Sequence, residues 1–193
     1  KIVSRLAVGQ IAQQLHAQGR KIVSTNGTFD ILHAGHVQFL EQARALGHVL
    51  IVGLNSDRSV KSYKGDKRPL NSQDDRAMVL SALGCVDYVV IFDEREPSAL
   101  LDVIRPDIHV KAGDYTLDSS NGTPGAKIYE RETVERNCGE VRILPLLNGR
   151  STTGLIKKIV EVYKAEREFK ECTGVNKKFC RNFKSSPHFD KSI

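Results

Sequence analysis

Tryptophan is absent from the 193 residues, methionine occurs once, and aromatic residues make up only 6%. So few rings argue against the stacked aromatic platform that single-stranded nucleic acids and RNA require. No apolar run approaches the roughly 18 residues needed to span a bilayer, and the first residues lack the charged-then-apolar layout of a signal peptide. The expectation is a cytoplasmic protein with no membrane partner. Cysteine is scarce as well: Cys85, Cys138, Cys172 and Cys180 are widely spread, with no Cys-x-x-Cys pair. That spacing suits reduced thiols rather than a disulfide framework. Cys172, Cys180 and His188 match no zinc motif, so no metal ligands are assigned.

The formal charge of +6 suggests a nucleic-acid binder at first sight. Yet Lys177, Lys178, Arg181, Lys184 and Lys191 face only Asp190 in the last 22 residues, so this tail carries most of the excess. Basic character belongs to the tail, and nucleic acid is not an expected partner. With 40% apolar residues the chain can bury one sizeable core, and its length favours one domain with appendages. We place the domain at residues 1–163 and a helical extension with the basic tail at 164–193. The extreme N-terminus, which begins at Lys1, carries no clear signal.

Short runs rich in Val and Ile, at Lys21–Thr25, Val49–Leu54, Tyr88–Phe92, Ile108–Ala112 and Val141–Leu144, read as strands. Between them Val37–Leu46, Gln73–Leu83, Pro97–Ile104 and a weaker stretch at Ala126–Asn137 carry a period near 3.6. Nearly continuous apolar strands alternating with helices predict a Rossmann-like α/β/α fold in three layers around a mostly parallel five-stranded sheet. Ligands in such sheets bind at the carboxyl ends of the strands. Ser62–Asn71 and Asp114–Gly125 read as mobile surface loops. Ser151 or Thr152 is the natural cap of a last helix with Leu155, Ile156, Ile159, Val160 and Tyr163 on one stripe; this helix is expected to continue through Lys170.

The most informative segment is Gly27-Thr28-Phe29-Asp30-Ile31-Leu32-His33-Ala34-Gly35-His36, set between the first strand and the first amphipathic stretch. Spacing of three puts His33 and His36 on one face of a first helical turn, where free N–H groups and the positive end of the dipole attract an anion. Taken alone, the pair also fits a partial metal site or a solvated surface feature. Gly27 lets the backbone approach a ligand, which favours phosphate.

This decapeptide resembles the Gly-Thr-Phe-Asp-x-x-His-x-Gly-His signature of the cytidylyltransferase-like nucleotidylyltransferases. The resemblance implies that His33 and His36 contact a nucleoside triphosphate and stabilise the transition state without a covalent intermediate. It is similar in further segments to the bacterial adenylyltransferases acting on heptose 1-phosphate: Val52-Gly53-Leu54-Asn55-Ser56-Asp57, Lys61 to Pro69, Arg76, Val110-Lys111-Ala112-Gly113-Asp114-Tyr115 and Ser151-Thr152-Thr153. The likeness covers roughly residues 20–162. Ala112 stands where the family usually has Gly, and Leu146 replaces an Arg of the cytidylyltransferase relatives, with Arg150 a nearby substitute.

By this resemblance His33, His36 and Lys64 are catalytic. Gly27, Thr28, Phe29, Asp30, Gly35, Asn55, Asp57, Arg76, Lys111, Gly113, Asp114, Ser151, Thr152 and Thr153 hold the nucleotide. Plainer readings stand beside these: Lys64 and Lys67 as exposed loop lysines, Ser151 and Thr152 as helix caps, Arg76 in an ion pair with Asp74 or Asp75. Asp30 either orients its loop, caps the next turn or touches a Mg²⁺ shell. The implied reaction is adenylyl transfer from ATP, with Mg²⁺ carried on its phosphates, to a sugar 1-phosphate, and the implied assembly is a homodimer. Glycerol-3-phosphate cytidylyltransferase and FAD synthase are rivals in the same class, and a non-catalytic nucleotide-binding regulator is the rival from another.

Overall fold

A computed structural model describes residues 1–113, 130–145 and 151–173, with side chains through 164. The chain divides into two compact units, Lys1–Thr152 and Thr153–Ile193. In the first, elements run α1 (Arg5–Ala17), β1 (Ile22–Gly27), α2 (Ala34–Arg44), β2 (Val49–Asn55), α3 (Asp57–Lys64), α4 (Gln73–Ala82), β3 (Tyr88–Phe92), α5 (Ser98–Ile104), β4 (Ile108–Ala112), α6 (Glu130–Arg136) and β5 (Glu140–Leu144). The last helix, α7 (Thr152–Thr173), makes up the described part of the second unit. It runs past Lys170, and its stripe residues Leu155, Ile159, Val160 and Tyr163 are exposed. Among the described residues, no helix is long and apolar enough to cross a membrane.

The five strands form one parallel sheet in the order β3-β2-β1-β4-β5. Alternation along each strand sends its apolar side chains to two cores. On one face Val23, Leu50, Val52, Leu54 and Val110 pack with Phe39, Leu40 and Ala43 of α2 and Ala77 and Leu80 of α4. On the other, Ile22, Val49, Ile51 and Val90 meet Val8, Ala12 and Leu15 of α1 and Leu100 and Ile104 of α5. The Rossmann-like three-layer fold expected from the strand and helix pattern is thus observed. Its strand order reverses between β1 and β4, the switch point where a crevice opens beyond the carboxyl ends.

Several boundaries differ from the sequence expectation. Residues 5–17, which carried no clear signal, form α1, capped by the Ser4 side chain on the Ala7 N–H. Ile2 adds a parallel bridge to Val89. The first-motif helix starts at Ala34 instead of Val37, because His33, Ala34 and His36 already belong to its opening turn. Ser62–Asn71 is not a mobile loop: Ser62, Tyr63 and Lys64 end α3, which Ser56 caps through the Ser59 N–H at 3.1 Å. The rest is tied down by Asp30, as described below. Asp114–Gly125, Leu146 and Arg150 lie outside the described residues, as do Cys180, His188 and the Cys172 side chain; Cys85 and Cys138 are free thiols.

Candidate active site

Three connections converge on the loop after β1. His33 is the N-cap residue of α2, with extended backbone, and its carbonyl accepts from the His36 N–H at 2.8 Å. The two imidazoles stack with centroids 3.9 Å apart, and Phe29 lies 5.4 Å from the His36 ring. Phe29 reaches that position with φ of 46°, in the left-handed region. Gly27 makes room for it, since a Cβ there would stand 3.1 Å from the Phe29 ring. Gly35 is buried in the first turn of α2. Burial pushes the His36 pKa down to about 4, with the neighbouring His33 and Lys64 acting in the same direction. His36 therefore stands neutral at physiological pH, and its Nδ1 is buried without a hydrogen bond among the described residues.

Asp30 fastens this loop to the segment after α3. Its carboxylate accepts from Arg68 Nη1 at 2.6 Å, the Leu70 N–H at 2.8 Å and the Asn71 N–H at 3.0 Å. Asn71 Nδ2 in turn donates to the Asp30 carbonyl. With both oxygens engaged and the side chain 5% exposed, Asp30 orients the loop rather than capping the turn that follows it.

Arg76 is the second fastening, and its partner corrects the ion pair expected with Asp74 or Asp75. Both aspartates belong to the same first turn of α4, where the Asp75 carboxylate accepts from Ser72 Oγ at 2.6 Å. The buried guanidinium instead donates to Asp57 Oδ1 at 2.7 Å, to the Thr28 carbonyl at 2.5 Å and to the Asn71 carbonyl at 3.1 Å. One side chain thus joins the β1 loop, the start of α3 and the segment before α4.

A cleft of about 470 Å³ opens at the carboxyl ends of the strands, lined by Asn26, Gly27, Thr28, Asn55, Tyr63, Lys64, Arg95, Glu96, Lys111 and Glu130. Its size falls within the usual range for small-molecule sites. Thr28 Oγ1 and Tyr63 Oη are hydrogen bonded at 2.8 Å. Lys64 Nζ lies 5.7 Å from the Tyr63 ring centroid, within cation–π range. Desolvation of its crowded surroundings lowers the Lys64 pKa first, with Arg68 and Arg76 adding and Asp30 opposing. Asn55 donates to Ser59 Oγ at 3.0 Å, which fixes it at the end of β2. Lys111 pairs with Glu130 Oε1 and donates to Asn26 Oδ1 at 3.1 Å. Gly113 leaves β4 with φ of 128°, a conformation that favours glycine.

The expected residues are thus distributed in a definite way. Gly27, Thr28, Asn55, Lys64 and Lys111 share the cleft wall, whereas Asp30, Asp57 and Arg76 form the scaffold behind it. His33 and His36 stand beside it at the start of α2, coupled to the cleft through the charge of Lys64. Asp114 lies outside the described residues, and Ser151, Thr152 and Thr153 open α7 at the boundary of the two units. Sequence reasoning missed Asn26, Tyr63, Arg95, Glu96 and Glu130. Asn26 was the most accessible of these, as a polar residue ending an apolar strand. Among the described residues, no group of three or more His, Cys, Asp or Glu side chains is placed to hold a metal ion.

Comparison with known proteins agrees with this architecture. The cytidylyltransferase-like family profile matches residues 24–182. The chain is 52% identical over 159 residues to the bifunctional protein HldE of Wolinella succinogenes, covering 82% of this chain and 31% of that one. It is 49% identical over 150 residues to HldE of Geobacter sulfurreducens, covering 78% and 29%. The chain therefore spans about a third of the length of these relatives. Among solved structures, the lipopolysaccharide core biosynthesis protein from Thermoplasma volcanium shares the fold with a TM-score of 0.52 at 24% identity, over 67% of this chain and 98% of that one. Pantoate-beta-alanine ligase from Francisella tularensis does so with a TM-score of 0.50 at 15% identity, over 78% and 68%. With its signature at the β1–α2 junction and a profile match over most of its length, the chain belongs to the cytidylyltransferase-like family.

Proposed function

We propose that this protein transfers the adenylyl group of ATP to D-glycero-β-D-manno-heptose 1-phosphate, giving ADP-heptose and pyrophosphate for lipopolysaccharide-core precursors. The observation that carries the nucleotidyl-transfer reading is the pair of stacked histidines on the first turn of α2, within reach of the charge of Lys64. The similarity to the bifunctional HldE proteins and the resemblance of residues 52–57, 61–69 and 110–115 to heptose 1-phosphate adenylyltransferases support the acceptor.

An oxygen of the acceptor phosphate attacks the α-phosphorus of ATP in line, and the bond to the β-phosphate bridging oxygen breaks as pyrophosphate leaves. The attacking phosphate has a second pKa of about 6, so it is already ionised and no general base is needed. The protein supplies position and compensation of charge. His36, neutral before substrate arrives, offers an N–H to a phosphate oxygen; the anion then favours its protonation, so positive charge appears where negative charge accumulates. Lys64 follows the β and γ groups as a point charge on a flexible stem. Gly27, Thr28 and the Phe29 backbone line the loop, and Asn55, Lys111 and Gly113 lie toward the nucleoside, to which Asp114 is assigned by resemblance alone. Ser151, Thr152 and Thr153 are read as nucleotide-binding through their resemblance to the last motif of the family. Asp30 is fully engaged by Arg68, Leu70 and Asn71, so a Mg²⁺ ion would be held through the ATP phosphates, where it would offset their charge. The same reading makes the domain 1–163, with 164–193 an extension, in a cytoplasmic homodimer; light scattering of the purified chain reports the mass.

Incubation with ATP, Mg²⁺ and the heptose 1-phosphate is expected to release pyrophosphate, and CTP or FMN substituted for one substrate is not. Turnover no higher than that of His36→Ala refutes the assignment. Nucleotide binding with no release across an acceptor panel supports a regulator instead.

A further inference from the structure

The two ends of the cleft differ in charge. At the α3 end Lys64 has Arg68 and Arg76 as cationic neighbours, and the nearby carboxylate of Asp30 is taken by Arg68. At the β4 end Lys111 is neutralised by Glu130 while donating to Asn26 Oδ1 at 3.1 Å, with the two charged side chains only 14% and 9% exposed. These groups continue a polar column inside the sheet. Below Asn26 on β1 is Ser24, and below Lys111 on β4 is His109; Ser24 and His109 are in register and hydrogen bonded at 2.8 Å. Around them that face carries the apolar Ile22, Val49, Ile51, Val90 and Phe92, with Asn55 at the end of β2.

Taking an ammonium and a carboxylate out of water is costly, and a packed apolar pair would serve the fold as well or better. An ion pair retained on the wall of a ligand-sized cleft therefore points to a ligand. The net charge decides its chemistry. A carboxylate beside the lysine repels phosphate, whereas an alternation of donor and acceptor suits hydroxyl groups, which do both. Among the described residues, Lys111 has spent two of its three N–H donors, Glu130 one of its two oxygens, and Asn26 its carbonyl but not its amide N–H groups.

We propose that Asn26, Lys111 and Glu130 form a subsite for a pair of sugar hydroxyls, separate from the phosphate-binding end of the cleft. The inference rests on the nucleotidyl-transfer reading. The hydroxyls belong either to the ribose of the nucleotide or to the acceptor sugar, which share this chemistry.

Calorimetric binding separates the sources without any turnover. One arm compares ATP with 2′-deoxy-ATP and 3′-deoxy-ATP; the other compares the heptose 1-phosphate with glycerol 3-phosphate and inorganic phosphate. The wild type is expected to prefer the hydroxyl-bearing ligand by about tenfold or more in one arm, and Glu130→Gln to lose most of that preference in the same arm. The paired replacement Lys111→Met with Glu130→Met strands no charge, and is expected to lose the preference while keeping the wild-type circular dichroism spectrum. Preferences unchanged by both variants in both arms reduce the pair to a structural contact and overturn the proposal. So does a Glu130→Gln variant that tightens ATP, its deoxy analogues and pyrophosphate by one common factor, which makes Lys111 a restrained phosphate ligand. Lack of pyrophosphate release would refute the assigned reaction and leave these preferences measurable.

Discussion

Replacing Arg76 by Leu tests whether one buried guanidinium holds the active-site loop. The change deletes three hydrogen bonds, to the Thr28 carbonyl, the Asn71 carbonyl and Asp57. The bond to the Thr28 carbonyl is buried, so losing it costs about 1–3 kcal/mol for an unsatisfied acceptor. Breaking a fully buried ion pair costs about 3–5 kcal/mol, but Asp57 is 34% exposed and recovers part of its hydration. Leucine also refills some of the volume. The balance is a loss of about 3–4 kcal/mol, a large share of the stability of an ordinary domain. Urea denaturation reads it directly. Combining Arg76→Leu with Asp57→Asn in a double-mutant cycle is expected to give a coupling of about 1–2 kcal/mol. Arg76→Lys keeps the charge but loses the fork that reaches three acceptors, so it should fall between the two in stability, with kcat reduced as the Thr28 carbonyl loses its anchor. A loss below about 1 kcal/mol in Arg76→Leu, or independent effects in the cycle, would refute the view that this side chain ties the three segments together.

Three other outcomes are expected. Lys64→Met should raise KM for ATP by about tenfold with little change in melting temperature, because the residue is exposed and its proposed role is to meet phosphate; steady-state kinetics with varied ATP checks it. Gly139→Ala should cost about 2–3 kcal/mol in thermal unfolding, since a Cβ there would lie 2.2 Å from the Pro106 carbonyl oxygen, a backbone atom with no rotamer to change. For pH, His109 is fully buried and its pKa is pushed down to about 3 by burial first and Lys111 second. Its unfolded pKa is about 6.5, so between pH 6.5 and 3 the unfolded chain binds a proton that the folded one refuses. Stability is then complete above pH 6.5 and falls on acidification, approaching about 1.4 kcal/mol per pH unit for this group. Urea midpoints between pH 6.5 and 5, where carboxylates stay ionised, should fall more steeply for the wild type than for His109→Leu.

What could be read in the sequence follows from the range of the physics involved. The five strands and their parallel pairing were legible because burial on both faces leaves nearly continuous Val and Ile runs. The strand-end-to-helix-start geometry of residues 27–36 was legible because a strand end, a glycine and two histidines on one helical turn are all local features. Helix α3 was less so: five of its eight residues are polar, basic or acidic on exposed positions, and Ser62–Lys64 looked like the start of a loop. The partners of Asp30, Arg76 and Lys111 were not legible at all. Apart from the Asn71 carbonyl, five residues before Arg76, they lie 38–41, 19–48 and 19–85 residues away, and no local rule pairs groups at such separations. This division has a consequence for the site itself. The residues proposed to meet phosphate are set by local backbone geometry and by side chains reaching out from it, so a signature can point to them. Those that fix the loop in place, and those that would sort one sugar from another, depend on the fold bringing β1, α3, α4, β4 and α6 to one end of the sheet. The signature of one decapeptide is therefore readable along the chain, whereas the proposed sugar-hydroxyl subsite is a product of tertiary contacts, and Glu130 is the residue that tests it.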